Sequence, residues 1–263
     1  MARRRARTTV AVLLVAIVAA AAIVLATRDG GEPERVTVGH GVQSAVLVRG
    51  DGPREGRPVV VFLHGWTAIA PRAYDAWVRH LAEGGADVVL PVYQRPPFID
   101  VRTPLPNVLA ALRAAFARLP DHGPVIAAGH SAGGALSADW AASASDAGLP
   151  RPVAVFAVYP GRDLGPGLRL MGPSLHRIDP RTRVLALASP RDAVVGMAVA
   201  EETIAEPTQI AAARRTLRIV SNPLVQDHNA PMRADPAARR TFWTPLDRLI
   251  EAARPSQSQP APY

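Results

Sequence analysis

The sequence predicts an α/β architecture: a mostly parallel sheet with helices on both faces. Three observations carry this. Apolar runs of strand length recur along the 263 residues, and most are followed by a segment of helical spacing. Several runs, such as PVVVFL before His64, show no polar alternation, as expected of strands covered on both sides. The residues with useful chemistry fall just after these runs, at what would be one edge of one sheet.

Residues 1–27 stand apart. MARRRAR supplies clustered positive charge, and Val10–Ala26 follows as seventeen residues without a polar side chain. A spanning helix needs about 17–25 apolar residues, and a cleaved signal about 7–15. A signal anchor or transmembrane segment is therefore expected, with the arginines cytoplasmic and residue 28 onward outside the membrane. Cleavage after Val24-Leu25-Ala26 would instead release a secreted domain. Residues 28–35 read as a linker.

The domain proper is expected over residues 36–253. Residues 36–48 read as a β-hairpin, and Arg49–Arg57 as a turn rich in Gly and charge. After the PVVVFL strand, Ala73–Glu83 puts Tyr74, Trp77, Val78 and Leu81 on one helical face, and Gly84-Gly85 stops it. Asp87–Tyr93 is the next buried strand, and Asn107–Leu119 a helix ended by Pro120. Val125–Ala128 is a strand and Ala132–Ala144 a helix. Val153–Tyr159 and Val184–Ala188 are strands, a helix lies near Val195–Ala205, and Leu217–Val220 is the last strand. Thr241–Ala253 closes the domain with Phe242, Leu246, Leu249 and Ile250 inward, and residues 254–263 read as a disordered tail. Residues 160–180 form the longest irregular stretch, where a small lid or active-site loop is expected.

Composition narrows the function classes. The chain has no Cys, which excludes a disulfide framework and a Cys-based zinc site. The net charge is +8, and every basic residue is Arg. Five of the 30 arginines lie in residues 1–28, leaving 25 against 22 acids. No Arg run interleaved with aromatics follows, so no nucleic-acid partner is expected. No paired His or carboxylates at helical spacing suggest a metal, and a phosphate loop of the GxxxxGK[ST] kind needs a Lys that the chain lacks. No cofactor is expected.

The strand ends carry a sharper signal. Gly129-His130-Ser131-Ala132-Gly133-Gly134 lies between a buried strand and a helix. A serine on so tight a turn, with glycines where neighbours crowd, is a candidate nucleophile. It needs a base to take its proton and a carboxylate to orient that base. Asp192 follows the VLALA strand and His228 lies within eight residues of the last strand. Asp163 is a rival acid and His176 a rival base, although His176 precedes Asp192 in the chain. The backbone N–H of Ala132, at the helix start, is a candidate oxyanion donor, and that of Trp66, after His64-Gly65, is the second. His130 and His64 read as structural, and Trp66, Ile69, Tyr93 and Phe98 as candidate pocket walls.

On these residues the chain resembles the α/β-hydrolase superfamily, esterase/lipase type, over roughly residues 36–253. The order Ser131, Asp192, His228 is that superfamily's order. GHSAGG is similar to its nucleophile elbow, His64-Gly65 to its oxyanion loop, and SPRDAVV (189–195) to its acid loop. Pro71-Arg72-Ala73-Tyr74 with Trp77, then VVLPVYQ, is similar to chlorophyllase-like and dienelactone-hydrolase-like members. Two departures stand: Gln226-Asp227-His228-Asn229 lacks the common His-Gly form, and dienelactone hydrolases use a Cys nucleophile absent here. The resemblance implies an α/β-hydrolase fold and a serine hydrolase cleaving small-molecule or lipid carboxylic esters through an acyl-enzyme. A peptidase, an amidase, an acyltransferase and a non-catalytic surface protein on the same scaffold are the alternatives.

Overall fold

The computed structural model describes residues 32–68 and 71–254. The apolar N-terminal segment, residues 28–31 of the linker, Ile69 and the tail from residue 255 lie outside the described residues. No helix among the described residues is long and apolar enough to cross a membrane.

Eight strands form one sheet. In chain order they are β1 (Arg35–Val38), β2 (Ala45–Val48), β3 (Val59–Leu63), β4 (Asp87–Pro91), β5 (Val125–His130), β6 (Ala154–Val158), β9 (Arg183–Ala188) and β10 (Arg215–Ile219). A two-stranded ribbon, β7 (Asp163–Gly165) and β8 (Leu168–Arg169), lies apart. The spatial order is β1-β2-β4-β3-β5-β6-β9-β10. The β1–β2 and β2–β4 pairs are antiparallel, and every later pair is parallel. The expected hairpin is thus the antiparallel margin of an otherwise parallel sheet.

Strand parity divides the core. Val59, Val61 and Leu63 of β3 pack toward α2 (Pro104–Phe116) and α3 (Ala132–Ser143). Val60 and Phe62 face α1 (Asp75–Glu83) and α6 (Thr244–Ala253) on the other side. Alternate residues of a strand point to opposite faces, so a strand covered on both must be apolar at every position. All five residues of β3 are accordingly buried. The helix α4 (Ala198–Ala205) covers the far end of the sheet through an alanine-lined contact with β6 and β9.

At two places helical turns begin earlier than the sequence suggests. The helix α2 starts at Pro104 rather than Asn107, with proline in its first turn. Proline serves there, because the first turn has no use for its missing N–H. Before α6, a short helix α5 (Pro236–Ala238) is capped by Asp235, which accepts the N–H groups of Ala237 and Ala238 at 2.9 and 3.0 Å. A π-turn over Arg239–Trp243 joins the two.

The stretch 160–180 is fastened down. Leu170, Leu175 and Ile178 are buried in the same cluster as α2 and α3. Arg162 forks onto Asp139 of α3 through two bonds of 2.8 and 2.7 Å, with both side chains buried. Asp163, Gly165 and Arg169 of the β7–β8 ribbon are exposed.

Candidate active site

The site sits at the carboxyl edge of the sheet, where β5 runs into α3. Ser131 is the junction and holds φ 57°, ψ −126°, a conformation that costs a non-glycine residue about 1–3 kcal/mol and persists only where its surroundings impose it. They do: the Ser131 N–H donates to the Val158 carbonyl at 3.0 Å, and its carbonyl accepts from Gly161 at 3.1 Å and Gly134 at 2.9 Å. The turn is too tight for side chains. A Cβ on Gly129 would meet the Gly133 carbonyl oxygen at 2.2 Å, and one on Gly133 the Leu63 carbonyl oxygen at 2.0 Å.

Three side chains from distant parts of the chain converge on this turn. The Ser131 hydroxyl donates to Nε2 of His228 at 2.9 Å. Nδ1–H of His228 donates to Oδ2 of Asp192 at 2.7 Å; a carboxylate only accepts, so the Nδ1–H tautomer follows. Oδ1 of Asp192 takes the backbone N–H groups of Val194 at 2.9 Å and Val195 at 3.2 Å. Burial works to raise the Asp192 pKa. The His228 ring and the two N–H groups outweigh it and hold the carboxyl below its ordinary range. The Asp192 side chain is fully enclosed, whereas that of His228 keeps 12% of its surface.

The rivals lie elsewhere. Asp163 is exposed on β7 and pairs with Arg169 of β8 at 2.7 Å. His176 is exposed, with Thr208 Oγ1 3.4 Å from its Nδ1.

The loop after β3 passes directly over the serine. A Cβ on Gly65 would sit 3.4 Å from Cβ of Ser131. The carbonyl of Gly65 accepts from Nδ1–H of His64 at 2.9 Å and from Nε2–H of Gln94 at 3.1 Å. Oε1 of Gln94 accepts the Thr67 N–H at 2.8 Å. Holding that carbonyl fixes the Gly65–Trp66 peptide plane, and with it the direction of the Trp66 N–H. Among the described residues, neither the Trp66 nor the Ala132 N–H donates to a protein acceptor.

Two aromatic residues hold the surrounding backbone. Tyr74 accepts the Gly65 N–H at 3.1 Å and donates to Nδ1 of His130 at 2.8 Å. Tyr159 donates to the Val225 carbonyl at 2.6 Å, at the entrance to the His228 loop. Nε2–H of His130 donates to the carbonyl of His228 itself at 2.8 Å. Burial, reinforced by the nearby His228, lowers the His130 pKa to about 3, so its ring is neutral. Burial likewise lowers His64 to about 4.

Of the expected pocket walls, Trp66, Tyr93 and Phe98 line one cavity of about 180 Å³ together with Gln94 and Asn107. Trp66 and Phe98 meet edge to face at 6.4 Å. Tyr93 contributes from beneath: it is fully buried, stacks on His64 at 4.3 Å and donates its hydroxyl to the His64 carbonyl. Sequence reasoning did not single out Gln94. Its one signal is position, three residues beyond β4 on the edge that carries the other polar groups. Among the described residues, no group of three or more His, Asp or Glu is arranged to hold a metal ion.

A serine on a strained strand–helix turn, hydrogen-bonded through histidine to an aspartate from the next strands, defines a class of fold and site. The chain belongs to the alpha/beta hydrolase fold family, whose model matches residues 60–235. It is similar to an esterase of the bacterial hormone-sensitive lipase family, at 19% identity over 85% of each chain with a TM-score of 0.64. Carboxyl esterase 2 of the mycorrhizal fungus Tuber melanosporum shares 17% identity over 85% of this chain and 87% of its own, at a TM-score of 0.63. Esterase B of Lactobacillus rhamnosis, in a structure with a tributyrin phosphonate, shares 18% over 86% and 88%, at 0.61. At these identities the likeness establishes the fold. No curated protein matches the chain.

Proposed function

We propose that this α/β-hydrolase cleaves carboxylic esters, with Ser131 as nucleophile, His228 as general base and acid, and Asp192 as its orienting carboxylate. The observation that carries the reading is the unbroken pair of hydrogen bonds from Ser131 Oγ to His228 and from His228 to Asp192. As Oγ adds to the ester carbonyl, its proton passes to Nε2 of His228. The oxyanion is received by the N–H groups of Trp66 and Ala132. The C–O bond to the alcohol then breaks, and His228 returns its proton to the leaving oxygen. Water, deprotonated by the same ring, attacks the acyl-enzyme, releases the acid and restores the serine. The esterases of similar fold support esters over other acyl compounds.

The apolar segment 10–26 is proposed to hold the domain at the outer face of a membrane, with the arginines inside.

A fluorophosphonate probe and p-nitrophenyl butyrate test the chemistry. Wild-type protein should be labelled at Ser131 and should hydrolyse the ester. Ser131→Ala should do neither, and equal hydrolysis by the two proteins would refute the reading.

A further inference from the structure

We infer that His130 and Tyr74 act as one positioning unit, tying the loop that carries Trp66 to the loop that carries His228 and holding both in register with Ser131. The inference rests on the ester-hydrolase reading for the use to which that register is put.

Four groups form a continuous chain. The Gly65 N–H donates to the Tyr74 hydroxyl at 3.1 Å, the hydroxyl donates to Nδ1 of His130 at 2.8 Å, and Nε2–H of His130 donates to the His228 carbonyl at 2.8 Å. The two ends are main-chain groups, and they fix the direction of every link. A backbone N–H can only donate and a carbonyl can only accept. The ring must therefore carry its one proton on Nε2 and leave Nδ1 bare. A second proton, on Nδ1, would turn the Tyr74 O–H away from this acceptor.

The chain ends at the two backbone segments whose placement the proposed reaction needs. One end is the residue before Trp66. The other is the carbonyl of His228, whose ring faces the serine. Both links are enclosed, Tyr74 and His130 each being 2% exposed. They also come from rigid elements: His130 is the last residue of β5, and Tyr74 ends the short turn that enters α1. Neither side chain bonds to Ser131 Oγ, Asp192 or the ring nitrogens of His228, so both are positioning residues, with the His130 and His228 rings 4.8 Å apart. An apolar side chain at 130 would fill the space but leave the Tyr74 hydroxyl and the His228 carbonyl without their partner.

Three variants separate the links. Y74F keeps the ring and breaks the chain at its centre. H130N keeps a side-chain acceptor near the Nδ1 position and loses the donor to His228. H130Q keeps a donor near Nε2 and loses the acceptor for Tyr74. Each is measured by the rate of fluorophosphonate labelling at Ser131 and by kcat and KM on p-nitrophenyl butyrate, after near-UV circular dichroism has established folding. Labelling rate and kcat are expected to fall together by about 10- to 100-fold, with KM within about twofold of wild type. The double variant Y74F/H130N is expected to be no slower than the slower single, because either change breaks the same chain. Folded single variants that label at the wild-type rate overturn the inference, as do losses that multiply in the double.

Nitrogen-15 NMR of the wild-type ring needs no variant. A proton on Nε2 and none on Nδ1 at neutral pH is expected, and the reverse tautomer overturns the chain. A wild-type protein that labels at Ser131 but cleaves no ester defeats the ester reading alone, and the labelling rates still judge the positioning unit. Failure of wild-type Ser131 to label at all defeats both.

Discussion

A Cβ on Gly133 would stand 2.0 Å from the carbonyl oxygen of Leu63. The first turn of α3 therefore lies against the end of β3 with no room for a methyl group, and that contact brings the Trp66 loop and Ser131 together. Gly133→Ala should force the helix and the loop apart. The expected cost is about 1–3 kcal/mol or somewhat more, the range for overpacking a dense site. Urea unfolding measures it, and the rate of serine labelling should fall by at least about 100-fold, since misplacement of about 1 Å suffices for that.

Asp192 and Asp163 differ in what they touch, and their variants should differ accordingly. Asp192→Asn keeps the shape of the side chain but lets His228 adopt the wrong tautomer. The corresponding change in a serine protease lowers kcat by about 10⁴, and a loss of similar order is expected here on p-nitrophenyl butyrate. Asp163 meets Arg169 in solvent, so Asp163→Asn should leave kcat within about twofold and stability within about 0.5 kcal/mol.

Two buried imidazoles give the fold a defined response to acid. His64 and His130 are lowered from 6.5 to about 4 and about 3 by burial, His130 also by His228. Unfolding returns both to the ordinary value. Between the folded and unfolded values the unfolded chain binds the extra protons, so stability increases with pH across that window. It is fully present above about pH 6.5 and is lost as pH falls toward about 4 for His64 and about 3 for His130. Each contributes about 1.4 kcal/mol per pH unit inside its window. Urea midpoints taken between about pH 7 and pH 4.5 should drop accordingly, and His64→Gln should remove about half of the slope. A slope unchanged by that substitution would exclude His64 as a source.

The Arg162–Asp139 pair predicts a stability effect of a different kind. Arg162→Met leaves the Asp139 carboxylate buried in α3 without its partner. Removal of one member of such a pair typically costs about 3–5 kcal/mol. The double replacement Arg162→Met/Asp139→Leu removes both charges and should recover most of that loss in thermal unfolding. A single variant as stable as wild type would show that the pair does not hold the 160–180 segment on α3.

The alternation of apolar strands and amphipathic helices was legible because it follows from periodicity alone. The burial of all five β3 residues is the direct counterpart of an apolar run without alternation. The boundaries were less legible where local chemistry has two meanings. The helix expected from Asn107 starts at Pro104, because a proline in a first turn is compatible with the helix it opens. The 160–180 segment, without periodicity, gave only the expectation of a small lid or active-site loop; its anchorage depends on Arg162 reaching Asp139, and nothing local to either residue announces the other.

The sequence by itself determined the order of elements, the glycine-flanked serine, and the fact that an acid and an imidazole each follow a later strand. These are properties of neighbouring residues, and short-range sterics and burial impose them. Only the tertiary structure chose Asp192 over Asp163 as the partner of His228. It also turned His130 from a packed neighbour of the serine into a bridge between two loops, and made Tyr74 and Gln94 the clamps of the two peptides on either side of Gly65. The reason is physical: hydrogen bonds act over about 3 Å, and the residues they join here lie as much as 98 positions apart in the chain.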